Sequence, residues 1–276
     1  VNNSCNLNKK IPLLNESTDE FCVLYTSGST GTPKGVILQE KGIFRVVESP
    51  NFIEVLPGDR MAQTAKQVFD AAQLECWLAW NHGATLVLFD KETILNIGAF
   101  RNKLKSENIT HMWLTAGLFD FHANNQPDLF ENLRYLMVGG DVVHKDTVLK
   151  VLSFEKHPII VNGYGPTEAS IFASTHTFDI QTINNHNTTL IGSPINETGL
   201  EIRTLFGTIT PIGGIGELCI KGNGIGSYLN SPKLNQEKFT EDGGKRTYQT
   251  GDLVKYTTKN PEIMFMGRAN KQQVKI

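Results

Sequence analysis

The sequence predicts an α/β fold: a mostly parallel sheet flanked by helices, followed by a small β-rich, distorted barrel-like subdomain. Three observations predict it. From residue 21 onward, short apolar runs alternate with amphipathic stretches at the spacing of strand–helix units. At residues 179–189 the polar segment DIQTINNHNTT breaks this texture. Beyond it, LEIRTL, GELCIKG, GDLVKYT and EIMFMG read as short strands separated by Gly and Pro, with helical periodicity nearly absent.

The elements follow in order. Residues 1–20 are polar and read as a linker or stub. FCVLY (21–25) and GVILQ (35–39) read as strands, so the glycine-rich stretch between them connects two strands. AAQLECWLAWNHG (71–83) has helical spacing and ends in Gly, a C-cap signal. ATLVLFD (84–90) reads as strand and AFRNKLKSEN (99–108) as helix. THMWLTA and LRYLMVGGD read as strands, KDTVLKVLSFE as the next helix, and PIIVNGYG (158–165) as a further strand. This divides the chain into an α/β nucleotide- and substrate-binding core over 21–185, a β-rich part over 186–266, and a hinge over 267–276. In open α/β sheets, ligands bind beyond the C-terminal ends of the strands.

Composition sets bounds on function. The 276 residues carry a formal charge of -2 and 20% charged side chains, which points to neither a nucleic-acid nor a membrane surface. No apolar run approaches the length of a membrane span. Cys5, Cys22, Cys76 and Cys219 are far apart, with neither a metal spacing nor a disulfide framework. Reduced thiols and the absence of a secretory signal imply a cytoplasmic setting. The polar opening VNNSCNLNKK lacks Met, so the chain is read as an excerpt of a longer one.

YTSGSTGTPKG (25–35) carries the clearest chemistry. Glycines let backbone N–H groups approach an anion. The hydroxyls of Thr26, Ser27, Ser29, Thr30 and Thr32 can donate to phosphate oxygens, and Lys34 supplies positive charge. The segment is not a Walker A loop, because Lys34 stands between Pro33 and Gly35 and a strand follows. A flexible Gly/Ser linker is the bland alternative, but a linker is not held this tightly between two apolar strands.

YTSGSTGTPKGV resembles the phosphate loop of the adenylate-forming superfamily, and further matches follow in order. VFDAAQLECW and NGYGPTEAS resemble motifs of nonribosomal peptide synthetase adenylation domains. GELCIKGNGIGSYLN, YQTGDLVKY and GRANKQQVKI resemble the three motifs that come after. The resemblance runs from about residue 21 to the end. It implies ATP bound by Thr26, Ser27, Gly28, Ser29, Thr30, Gly31 and Lys34, with Gly140, Gly165 and Phe265 around the nucleotide. Asn162 is expected at the adenine edge and Tyr164 stacked on the base. Thr167 is expected at the α-phosphate, and Asp252 and Arg268 at the ribose. Glu168 is expected to hold Mg²⁺, as a hard cation prefers carboxylate and phosphate oxygens. Thr167, Glu168 and Lys34 are the expected catalytic residues.

The same resemblance assigns Asp70 to the α-ammonium of an amino acid; a helix N-cap is its alternative role. Ala71, Leu74, Trp113, Met137, Gly139, Gly163, Ile171 and Phe172 are assigned to the side-chain pocket. None is charged, so a charged substrate side chain would lose hydration without a partner. Trp113 and Phe172 shorten the pocket while Gly139 and Gly163 leave room, which implies valine first and isoleucine or leucine next. The implied reaction is formation of aminoacyl-AMP with release of pyrophosphate, for transfer to the phosphopantetheine thiol of a peptidyl carrier protein among neighbouring synthetase domains. Relative to the family, the upstream core and the C-terminal lid are missing from the excerpt. Asn270 replaces a usual Asp, Glu40 a common His, and Phe265 a common Tyr. Two other readings stand beside this one: an aryl or acyl acid–thiol ligase, and a degenerate nucleotide-binding module.

Overall fold

A computed structural model describes residues 20–27, 32–181, 183, 190–242, 244–257 and 262–269. Gly28, Ser29, Thr30 and Gly31 lie outside the described residues, as do Cys5 and Asn270. The chain opens with strand β1 (Glu20–Thr26) and strand β2 (Lys34–Gln39), followed by helix α1 (Glu40–Val47). Strand β3 (Arg60–Gln63), helix α2 (Asp70–Asn81) and strand β4 (Thr85–Leu88) come next. Helices α3 (Lys91–Leu95) and α4 (Ile97–Ser106) lead to strand β5 (His111–Thr115) and helix α5 (Ala116–Asn125). Strand β6 (Tyr135–Gly139), helix α6 (Lys145–Leu152) and strand β7 (Ile159–Tyr164) complete the alternating part.

Local chemistry explains several of these boundaries. Asp90 caps α3 by accepting from the Thr93 N–H at 2.8 Å, and Asn96 caps α4 by accepting from the Ala99 N–H at 2.9 Å. Strands β4, β3, β5, β6 and β7 pair in parallel in that order. Their side chains alternate between two cores, as the period of a strand requires. Trp113, Met137 and Val161 face one core, which α1 and α2 cover with Ile43, Val46, Leu74 and Leu78. Met112, Leu114, Leu136, Val138 and Ile160 face the other, covered by Phe100 and Leu104 of α4, Phe119 of α5 and Val148 of α6. Both faces being covered is why the central strands β5, β6 and β7 read as near-continuous apolar runs.

Past β7 the pairing turns antiparallel through strands β8 (Ser174–Thr177) and β9 (Leu190–Pro194). The β-rich part contains β10 (Thr198–Arg203), β11 (Gly216–Gly222), β13 (Phe239–Asp242), β14 (Lys245–Tyr256) and β15 (Ile263–Arg268). Its strands join the same hydrogen-bonded sheet in the order β9, β15, β14, β11, β10. The sheet is therefore mixed, with a parallel half and an antiparallel half. A separate three-stranded sheet pairs β1 and β2 with the two-residue strand β12 (Ser227–Tyr228). Helix α7 (Pro232–Lys238) is short, starts on Pro and buries no residue, in keeping with the weak helical periodicity after residue 180.

Candidate active site

The glycine-rich segment joins the ends of an antiparallel pair, since Thr26 lies opposite Lys34. On its other edge β2 pairs with β12, with Val36 opposite Tyr228. Lys34 Nζ therefore sits 5.6 Å from the centre of the Tyr228 ring. The Tyr228 hydroxyl donates to Glu168 Oε1 at 2.6 Å and lies 3.4 Å from the Tyr248 hydroxyl. Asn235 fixes this strand by accepting from the Tyr228 N–H and donating to its carbonyl, both at 2.8 Å. Burial, with Glu168 nearby, pushes the Tyr228 and Tyr248 hydroxyls well above the usual phenol range. Both stay protonated at neutral pH and remain hydrogen-bond donors. Lys34 and Glu168 thus meet the same phenol, one over its ring and the other at its hydroxyl.

Glu168 belongs to the connection between β7 and β8, which turns through a short helical segment, Thr167–Ala169. The turn closes with Ser170 N–H on the Thr167 carbonyl at 3.0 Å and Ala173 N–H on the Tyr164 carbonyl at 2.7 Å. Ser170 and Ile171 have φ of 53° and 72°, unusual for side-chain-bearing residues and most of all for a β-branched one. Gly165 permits the close approach, because a Cβ there would stand 2.3 Å from the Ile171 carbonyl oxygen.

Across the β7 end, Tyr164 donates its hydroxyl to Asp252 Oδ2 at 2.5 Å, and Arg268 Nε is 3.0 Å from Asp252 Oδ1. Asp252 and Arg268 face each other in the β14–β15 ladder. Burial and the Asp252 charge raise the Tyr164 hydroxyl well above its usual range. Asp252 is 3% exposed, so Tyr164 and Arg268 hold its carboxylate in a fixed orientation. Asn162 is 4% exposed and donates its side-chain amide to the Leu190 carbonyl at 2.8 Å. An adenine contact at Asn162 has to use the rest of that amide. Gly140, with φ of 80°, follows the β6 end, and Phe265 packs against the first core opposite Val254.

The expected substrate positions gather on one face of the sheet. Trp113 lies opposite Met137 and Gly139 opposite Gly163 on adjacent strands, toward the C-terminal ends where ligands bind. Ala71 and Leu74 reach the same core from α2, and Ile171 and Phe172 from the β7–β8 connection. The room expected at Gly163 is filled: a Cβ there would meet the Phe172 ring at 2.3 Å. At Gly139 a Cβ would meet the Gly163 carbonyl oxygen at 2.3 Å, so this glycine serves close strand approach. Phe172 is also in edge contact with Phe52 at 5.8 Å. Trp113 Nε1 is buried with no hydrogen-bond partner among the described residues. Asp70 sits in the first turn of α2, half-buried; the N-cap is Phe69, so the capping role does not fall to Asp70.

A cavity of about 700 Å³ opens elsewhere, lined by residues including Lys41, Glu197, Lys221 and Arg246. It shares no lining residue with the expected site and carries charges of both signs. Among the described residues no group of three or more His, Cys, Asp or Glu gathers to hold a metal ion. A lone Glu168 suits Mg²⁺, which keeps several waters and takes one or two carboxylates together with phosphate oxygens.

Residues 3–228 match the family model described as AMP-binding enzyme. The chain belongs to this family. Malpibaldin synthetase of Mortierella alpina is 37% identical over 272 residues, which are 96% of this chain and 5% of that protein. Surfactin synthase subunit 2 of Bacillus subtilis (strain 168) is 38% identical over 92% of this chain and 7% of its own length. The chain thus spans only a small part of these curated relatives. Among solved structures, PA1221, an NRPS protein containing adenylation and PCP domains, matches with a TM-score of 0.88 and 28% identity, over 97% of this chain and 54% of that one. The Klebsiella oxytoca NpsA N-terminal subdomain in complex with 3-hydroxybenzoyl-AMSN matches with a TM-score of 0.84 and 26% identity, over 95% of this chain and 68% of that one. The mixed sheet with its flanking helices is the AMP-binding fold of these proteins, and the chain is similar to the adenylation domains of nonribosomal peptide synthetases.

Sequence reasoning passed over Tyr228, Tyr248, Arg45 and Glu75. Tyr228 and Tyr248 stand inside the quoted segments GNGIGSYLN and YQTGDLVKY. Their role becomes visible only once strands far apart in the chain meet Glu168.

Proposed function

We propose that this chain is the core of an enzyme that activates an apolar aliphatic amino acid as its aminoacyl-AMP. The observation that carries the reading is Asp70, a carboxylate in the first turn of α2, next to a cluster in which Ala71, Leu74, Trp113, Met137, Ile171 and Phe172 are all apolar and buried. An α-ammonium suits the carboxylate and a short aliphatic side chain suits the cluster. The Phe172 ring over Gly163 shortens the site and favours valine, with isoleucine and leucine next. Size discrimination among aliphatic side chains is modest in any apolar pocket. The Trp113 indole N–H makes threonine, the hydroxyl isostere of valine, a second candidate.

In the proposed reaction a substrate carboxylate oxygen attacks the α-phosphorus of ATP. The bond to the bridging oxygen breaks and pyrophosphate leaves. Lys34 and Thr167 offset the developing negative charge, and the Tyr228 hydroxyl keeps the Glu168 carboxylate aimed. Asp252 receives the ribose hydroxyls, oriented by Tyr164 and Arg268. Mg²⁺ at Glu168 adds charge neutralisation when bound. The glycine-rich segment 26–31 supplies further phosphate donors. Transfer to a carrier-protein phosphopantetheine thiol follows in this reading, supported by similarity to a protein that joins adenylation and PCP domains.

Asp70→Ala tests the amino-acid reading. Removing one member of a buried charge pair costs about 2–5 kcal/mol, whereas losing an acidic residue in a helix first turn costs under about 1 kcal/mol. The variant is expected to lose about 30-fold or more in amino-acid-dependent ATP–pyrophosphate exchange while remaining folded and binding ATP. Unchanged exchange would instead favour an aryl or acyl acid, which has no ammonium to pair.

A further inference from the structure

Arg45 lies on α1, outside every motif that points to the nucleotide or the substrate, yet it is 6% exposed. Its Nη2 donates to the carbonyls of Ala169, Ser170 (3.3 Å) and Phe172 (2.8 Å), and its Nη1 to Thr198 Oγ1 at 2.5 Å. These carbonyls lie within and on both sides of the left-handed pair Ser170 and Ile171, which leads Ile171 and Phe172 into the first core. The packing around it is equally tight. A Cβ on Gly224 would stand 2.2 Å from the guanidinium, and one on Gly42 would stand 2.5 Å from Ser170 Oγ. Ser170 Oγ in turn donates to the Gly224 carbonyl at 2.8 Å. Burial lowers the Arg45 pKa only to about 10, so the group is a cation at neutral pH.

We infer that Arg45 is a positioning residue for substrate selection: it clamps the strained 169–172 backbone and so sets where Ile171 and Phe172 stand. A non-glycine residue at positive φ persists only where its surroundings over-determine it, and Arg45 with Ser170 supplies that determination. Glu168 is held separately, by the Gly226 N–H on its carbonyl at 2.9 Å and by Tyr228 on its carboxylate. Loss of the clamp therefore falls on the amino acid rather than on the nucleotide. A lysine keeps the charge but not the planar fork that spans several carbonyls.

The inference rests on the amino-acid reading above, and its test separates the two. Arg45→Lys and Ser170→Ala are compared with wild type in the full natural chain. Backbone amide exchange over residues 168–173 is expected to accelerate tenfold or more in Arg45→Lys and about threefold in Ser170→Ala. The KM for the preferred amino acid is expected to rise at least tenfold in Arg45→Lys, with the ATP KM within threefold and the valine-to-leucine kcat/KM ratio moving toward one. Unchanged amide exchange in both variants would overturn the clamp. Faster amide exchange with unchanged amino-acid KM and unchanged selectivity would overturn its role in selection. If Arg45→Lys does not fold, Ser170→Ala alone decides by the same readouts. A wild type that activates no amino acid would fail the functional reading itself, and the clamp would then be decided by amide exchange.

Discussion

At the scale of single residues, Tyr228 links the two charged groups expected at the phosphates. Its ring lies under Lys34 and its hydroxyl bonds Glu168 at 2.6 Å. Tyr228→Phe keeps the ring against Phe239, 5.3 Å away, and removes only the donor. A hydrogen bond to a charged group contributes about 1.5–3 kcal/mol, so the Mg²⁺ concentration for half-maximal activity is expected to rise about tenfold or more with the fold intact. A Mg²⁺ titration of pyrophosphate exchange checks this. A second buried group, Glu75, has lost all exposure and accepts from the Thr64 N–H and Oγ1 at 2.9 Å and from the Ala65 N–H at 3.1 Å. Burial outweighs these donors and pushes its pKa up to about 7 from 4.5. Between those values the folded chain holds a proton that the unfolded chain has released, so this contribution to stability falls as pH rises through the window. His111 and His122, whose pKa burial lowers, act in the opposite direction in any variant that keeps them. The difference isolates Glu75: relative to Glu75→Gln, the wild type is expected to lose about 3 kcal/mol between pH 4.5 and 8, read by urea unfolding across pH. Neither residue's role was legible beforehand. YTSGSTGTPKG advertises its anion by composition alone, whereas nothing in GSYLN says which carboxylate a phenol will meet 60 residues away.

At the scale of elements, β4, β5, β6 and β7 were readable from apolar runs that survive any pairing order, whereas β3 was not, because Arg60 and Gln63 leave only Met61 and Ala62 between them. Helix α4 was readable from its amphipathic spacing and α2 from its length and the Gly83 that stops it, whereas α1 was passed over because no side chain caps its start. Helix α5 was not readable: AGLFDFHANN packs Phe119, His122 and Ala123 inward among polar neighbours without a clean stripe. The return from β7 through β8 to β9 was also hidden, because it depends on one glycine's backbone. Gly192 in β9 has φ of 76°, and a Cβ there would stand 1.9 Å from the Thr175 carbonyl oxygen. Backbone strain of this kind costs about 1–3 kcal/mol, and the clash adds to it. Gly192→Ala is expected to destabilise the fold by about 3 kcal/mol or more in urea unfolding. Gly117→Ala in α5 is the matched control, since open space surrounds that position; it is expected to be neutral or to stabilise by up to about 1 kcal/mol.

At the scale of the molecule, the candidate site lies where two sheets meet: the three-stranded sheet brings Lys34 and Tyr228, and the mixed sheet brings the remaining strand-borne residues. Its parallel half sets Trp113, Met137 and the two glycines in a row against α2, and its antiparallel half brings Asp252 and Arg268 to Tyr164. The family was legible in six segments taken in order, and the match over residues 3–228 bears it out. The order of the strands was not legible, because it is set by contacts between residues far apart in sequence. Among the described residues no helix is long and apolar enough to cross a membrane. The decisive measurement is amino-acid-dependent ATP–pyrophosphate exchange by the full natural chain, against aliphatic, hydroxyl, aromatic and charged amino acids. Exchange that peaks with valine, with isoleucine, leucine or threonine next, is the predicted result. A folded, ATP-binding protein that exchanges pyrophosphate with none of them would contradict it.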